Sequence, residues 1–108
     1  MTTLYVVRLD AVPGREADLD RWYEAVHLPE VLTIEGFRSA QRFCLADVQM
    51  APGPAHGWLT LYEIDEDDVA GTLDRLRAAT HLAMTDALDP ASVDVAVYRS
   101  LGPPRLSV

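Results

Sequence analysis

Two rhythms of apolar and polar positions run along the chain. A period of two governs residues 3–10 "TLYVVRLD", 37–46 "FRSAQRFCLA", 58–65 "WLTLYEID" and 92–100 "SVDVAVYRS". These stretches are rich in β-branched and aromatic residues, and four strands are predicted there. In the second, Phe37, Ser39, Gln41 and Phe43 should share one side, and Arg38, Ala40, Arg42 and Cys44 the other. A helical period begins at Glu16, where Leu19, Trp22, Tyr23 and Val26 recur at i, i+3, i+4 and i+7. Residues 65–80 "DEDDVAGTLDRLRAAT" predict a second helix. Acids crowd its start, arginines follow at 75 and 77, and Val69, Leu73 and Leu76 form its apolar stripe. "VPG", Gly36 and the Pro/Gly-rich "DVQMAPGPAHG" punctuate the elements, "HLAMTDALDP" reads as a turn or short helix, and "GPPRLSV" is an irregular tail.

One place breaks its own rhythm. In "AVHLPEVL" (25–32), Pro29 interrupts a strong helical pattern. An interior proline lacks a backbone donor and its ring clashes with the carbonyl four residues back, a cost of about 3 kcal/mol. The helix is therefore expected to end there, freeing the Ala25 carbonyl and leaving His27 near a helix terminus.

The order β-α-β-β-α-β, with halves of similar length, is the ferredoxin-like split β-α-β pattern: α+β, a four-stranded antiparallel sheet with two helices on one face. The other face should then be polar, yet strands one and three are apolar on both sides, Leu4 and Val6 against Tyr5 and Val7, Leu59 and Leu61 against Trp58 and Tyr62. A second copy related by a two-fold axis is the economical cover, so a homodimer is expected.

Length and charge narrow the partners. A chain of 108 residues suits one domain, 1–108. Nine arginines against 17 acids leave a net charge of −8, which disfavours nucleic acid and anionic membranes. No apolar run is long enough to span a membrane, and the N-terminus lacks a signal-peptide pattern. The single cysteine, Cys44, cannot form an intrachain disulfide; a reducing, cytoplasmic setting fits, and on its strand it reads as a small buried hydrophobe. No phosphate-binding glycine loop, Ser-His-Asp order or metal-spaced cluster occurs, so no metal is predicted.

The residues that could carry chemistry are few. His27, on the edge of the helical stripe, has a side chain that titrates near neutrality and suits general acid/base work. It could equally cap the helix end, interacting with freed carbonyls. Tyr62, behind Trp58 and Thr60 on one face, offers a hydroxyl in an aromatic wall suited to a planar ligand, or simply a core tyrosine. Glu63 points the other way, and Arg42 or Arg8 could pair with it across the sheet. Trp22 and Tyr23 at helical spacing read first as core, and His56 in its loop as solvated.

Taken together, "RWYEAVHLPEVLTIEGFRSAQRF", "WLTLYEID" and "MTDALDPASVDVAVYRSLG" resemble the dimeric α+β barrel superfamily, most closely its EthD-like branch. The resemblance spans nearly the whole chain. It implies a small hydrophobic pocket between helices and sheet, with His27 as acid or base, Tyr62 as a donor to a developing oxyanion, and Trp22, Tyr23, Trp58 and His81 around a hydrophobic small molecule. Trp58 and His81 also resemble the Trp and His of a haem-degrading branch, but strand one has no asparagine and the Trp-to-His interval is longer, so no cofactor is expected. The function implied is cofactor-independent cyclisation, isomerisation or dehydration in aromatic or polyketide-type metabolism. A non-catalytic binding or accessory protein and a cofactor-free monooxygenase are the alternatives.

Overall fold

In the computed structural model, which describes residues 1–108, the four strands are β1 (Thr3–Leu9), β2 (Phe37–Cys44), β3 (Trp58–Ile64) and β4 (Asp94–Arg99). They form one antiparallel sheet in the order β2-β3-β1-β4. Register pairs Tyr5 with Tyr62 and Val7 with Thr60, so these side chains share the face that the helices cover. Leu4, Val6, Leu59 and Leu61 share the opposite face. The ferredoxin-like α+β architecture read from the sequence is the one observed.

The first helix departs from expectation in an informative way. It does not end at Pro29 but runs as α1 (Glu16–Trp22), a π-helical turn (Tyr23–His27) and α2 (Leu28–Val31). Within the wide turn, the Leu28 amide donates to the Tyr23 carbonyl, five residues back. That slack carries the chain past a residue that has no amide to give, so Pro29 re-phases the helix rather than stopping it.

A second correction lies in β2. The ladder slips between Phe37 and Ser39: Phe37 pairs with Ile64, Ser39 with Glu63 and Ala40 with Tyr62. A bulge of this kind inserts one extra residue and flips the alternation. Phe37 therefore joins Ala40, Arg42 and Cys44 on the helix side instead of Ser39, Gln41 and Phe43, and it is buried.

The second helix, α3 (Val69–Ala78), starts later than the acids suggested. Asp68 caps it, its carboxylate accepting the Gly71 amide at 3.1 Å. Its expected stripe of Val69, Leu73 and Leu76 is only half-buried, and Thr72 is the residue wholly enclosed. Thr72 seats against Gly36, whose φ of +102° suits glycine and whose position leaves no room for a Cβ beside the Thr72 hydroxyl. The Asp65 amide donates to the Gly36 carbonyl at 2.8 Å and Arg75 Nε to the Glu35 carbonyl at 2.8 Å, fixing α3 to that turn. Residues 81–89 form no helix; a 3-10 turn, Pro90–Ser92, leads into β4. The core runs between the first helix and the sheet, through Leu19, Tyr23, Val31, Tyr62 and Ile64.

Candidate active site

Between the two helical arms and the sheet lies a cleft of about 530 Å³. Tyr5, Val7 and Leu9 of β1 and Tyr62 of β3 floor it; Trp22, Tyr23 and His27 form one wall, Leu76 and Ala79 the other. The size is that of a small-molecule site. No arginine, lysine, aspartate or glutamate lines it, and the polar groups offered are the His27 ring, the Thr80 hydroxyl and three phenols.

The π-turn builds the wall. In an α-helix, residues five apart point about 140° away from each other at 100° per residue. The wide turn closes that angle, and the His27 ring stacks on Trp22 with centroids 4.3 Å apart and planes 17° from parallel. Tyr23 stands edge-on to His27 at 5.1 Å and to Trp22 at 5.0 Å. Trp22 is itself held, its Nε1 donating to the Ala83 carbonyl at 3.0 Å.

His27 caps no helix end. The helix continues to Val31, and His27 Nδ1 is sealed from solvent with no hydrogen-bond partner. Burying an imidazolium there would leave a charged donor unpaired. Burial accordingly holds the ring below its ordinary pKa of 6.5, although the Glu30 carboxylate pulls the other way. The ring is neutral at neutral pH, which is the form that can accept a proton.

Tyr62, 2% exposed, sits in the floor between Tyr5 at 5.9 Å and Phe37 at 5.6 Å, centroid to centroid. Burial, with the neighbouring phenols Tyr23 and Tyr5, drives its pKa far above the ordinary 10.0. It stays protonated, so its hydroxyl can donate a hydrogen bond but does not act as a phenolate base. Burial also raises Tyr23, against the Thr60 hydroxyl and the Arg42 guanidinium, and raises Tyr5 against Arg77. Tyr5 was not singled out in the sequence. The signal was present in its alternation with Val7, but its place beside Tyr62 depends on strand register.

Of the six residues named from sequence, the cleft brings together His27, Tyr62, Trp22 and Tyr23. Trp58 lies further along the sheet, beneath the Arg42 guanidinium, and His81 is exposed on the segment after α3; neither lines the cleft. Arg42 does not pair with Glu63, which faces the other side of the sheet; it reaches across the helix to Asp20 at 2.8 Å and Glu24 at 2.9 Å. Arg8 pairs with Asp94 at 3.5 Å. His56 is half-buried rather than solvated, with Nδ1 3.0 Å from Asp10, whose other oxygen accepts the Gly57 amide at 2.7 Å. The amide, then His56, hold the Asp10 carboxyl below its ordinary value. Cys44 is exposed, not buried, because β2 is an edge strand and its end lies beyond the helices. No group of three or more His, Cys, Asp or Glu side chains is arranged to hold a metal, and no helix is long and apolar enough to cross a membrane.

The fold recurs in solved structures. A Shewanella loihica protein provisionally described as a monooxygenase matches over 95% of this chain and 99% of its own, at 17% identity and a TM-score of 0.57. A Bacillus halodurans protein of the ethyl tert-butyl ether degradation (EthD) family matches over 94% and 100%, at 14% identity and a TM-score of 0.56. A Mycobacterium tuberculosis protein, Rv0793, matches over 97% and 100%, at 18% identity and a TM-score of 0.52. No protein-family model and no curated protein matches the chain. At these identities the likeness is one of fold.

Proposed function

We propose that the chain binds a neutral, planar, hydrophobic small molecule in the cleft and catalyses a proton transfer on it without a cofactor. One observation carries this: an imidazole that caps nothing and whose Nδ1 is sealed without a partner, in an apolar cleft whose floor holds a buried phenol able to donate a hydrogen bond. His27 would remove a proton from a carbon beside a carbonyl, and Tyr62 would hydrogen-bond the oxyanion that develops. Trp22 and Tyr23 would shape the slot around the ring system. Cyclisation, isomerisation and dehydration all begin with that step. Trp58 and His81 would act from outside the slot, Trp58 by supporting Tyr23's wall through Arg42 and His81 at the approach. The Shewanella loihica protein's description favours a second reading, cofactor-free monooxygenation, in which the same base deprotonates a phenol and dioxygen is co-substrate.

The test needs no knowledge of the natural substrate. 5-Nitrobenzisoxazole is planar and neutral, and opens to a coloured phenolate when a base removes its ring proton. The protein should accelerate this, and His27→Ala should cut the rate about 10²-fold or more with little change in Tm. Tyr62→Phe should lower it less. An unchanged rate in His27→Ala would sink the assignment of the base. Saturable binding of 1-naphthol with no acceleration at all would leave a carrier, not an enzyme. Oxygen uptake with a naphthol would favour the monooxygenase.

Two copies joined through the helix-free face, where Leu4, Leu59 and Leu61 are half-buried and Phe43 and Tyr98 exposed, would give a homodimer. Light scattering should return twice 11.9 kDa; a single-chain mass would refute it. A cytoplasmic setting suits the lone, exposed Cys44.

A further inference from the structure

Arg42 is the most deeply buried cation of the protein, its side chain only 11% exposed, yet it lines no part of the cleft. Its guanidinium carbon lies 4.8 Å from the centroid of the Tyr23 ring and 5.5 Å from that of Trp58. One nitrogen, Nη1, donates to both Asp20 and Glu24. These acids are four residues apart, Asp20 in α1 and Glu24 inside the π-turn, so a single group spans the junction between the two helical forms. Nη2 is enclosed without a hydrogen-bond partner. An ordinary surface ion pair has none of this burial or stacking.

A π-turn needs such support. Left to itself the segment would relax toward the commoner α form, and each residue of re-phasing swings a side chain about 100° around the axis. The Trp22–His27 stack would not survive that. Arg42 acts from the sheet side on the two residues that prevent it, covering the Tyr23 ring and gripping Glu24. Tyr23 in turn stands edge-on to His27.

We propose that Arg42 is a positioning residue for His27: by pinning Tyr23 and the π-turn to β2, it sets where the imidazole sits in the cleft. Its effect on turnover rests on the acid/base reading above; its effect on the placement of His27 does not. Arg42→Lys keeps a charge for Asp20 and Glu24 but loses the planar face and the fork.

The experiment follows the His27 ring proton by NMR across pH, together with kcat and KM for 5-nitrobenzisoxazole, in wild type, Arg42→Lys and Arg42→Ala. In Arg42→Lys the His27 pKa should rise toward 6.5 as the ring loosens into water. The kcat should fall by about tenfold or more, as small displacements of a catalytic group do, with KM little changed. A folded Arg42→Lys with wild-type His27 titration and kcat would overturn the proposal, whatever its Tm. If Arg42→Ala does not fold, Arg42→Lys alone decides. If wild type does not turn over the probe, the catalytic reading of His27 fails while the NMR titration still decides the role of Arg42.

Discussion

The two helical arms have comparable apolar spacing in sequence, yet they meet the sheet differently. The first arm, α1 through α2, presses Leu19, Trp22, Tyr23 and Val31 into the core, with Leu19 at 0% exposure and Val31 at 2%. The second, α3, encloses only Thr72, and Leu73 and Leu76 stay half-buried. The first arm carries aromatic rings broad enough to reach the sheet, and a cation on β2, Arg42, ties them down. The second carries aliphatic side chains that stop short, with Leu76 and Ala79 facing the cleft. The cleft is thus the space α3 leaves uncovered. A closely packed aromatic wall stands on one side and an incompletely packed one on the other, and the proposed ligand would complete the burial that α3 lacks.

The largest expected effect tests that contrast directly. Leu19→Ala should destabilise by about 2–5 kcal/mol, as deletion of a fully enclosed leucine does, while the half-buried Leu73→Ala should cost about 1 kcal/mol or less. Denaturant unfolding of both variants measures this. Equal losses would mean that α3 is as firmly packed as α1, and the contrast would fail.

Next in size is the joint between the arms. Gly36→Ala meets both a positive φ and the Thr72 hydroxyl, and should cost about 1–3 kcal/mol. Hydrogen exchange should speed up across α3 first, with α1 still protected. Uniform loosening would show instead that the arms unfold as one unit.

The strands and the division of faces in β1 and β3 were legible in the sequence because counting by two holds along each, their register running without irregularity. Phe37 was not, since "FRSAQRF" alternates regularly by eye and the bulge that re-phases it exists only in the ladder with β3. His27 and Tyr62 stood out because side-chain chemistry is a local property, whereas helical spacing read Trp22 and Tyr23 only as core and the family resemblance implied their place around a pocket. The partner of Arg42 was missed because strand neighbours are visible in a strand pattern, whereas Asp20 and Glu24 come from another element. Pro29 announced a conflict without its resolution: whether a helix stops or widens depends on what holds it, and the Ala83 carbonyl that fixes Trp22 and Arg42 on β2 do that from across the fold.

Pro29→Ala sharpens the same point at lower energy. It restores an amide that can pair with the Ala25 carbonyl and so favours the α form. Stability should change by about 1 kcal/mol or less, in either sign. The site should respond more: the Trp22–His27 stack should weaken, seen as altered ring-current shifts of the His27 protons, and probe turnover should fall. Unchanged shifts would show that aromatic packing, not proline, holds the turn.

The smallest effect is a pH dependence, and it belongs to the first arm alone. His27 has a folded pKa below its unfolded value of about 6.5. Between the two values the unfolded chain binds a proton that the folded chain refuses, so stability rises with pH across that window and is complete above 6.5. As pH falls through the folded pKa the contribution is lost, with a slope no steeper than about 1.4 kcal/mol per pH unit, the limit for one proton. Asp10, also depressed, acts in a separate window below its ordinary 3.8. Denaturant unfolding between about pH 5 and 7.5 should therefore show a gentle loss toward acid in wild type. His27→Gln should flatten it. A loss of equal slope in His27→Gln would assign the titration elsewhere and would mean that the ring in the π-turn is wetter than its sealed nitrogen implies.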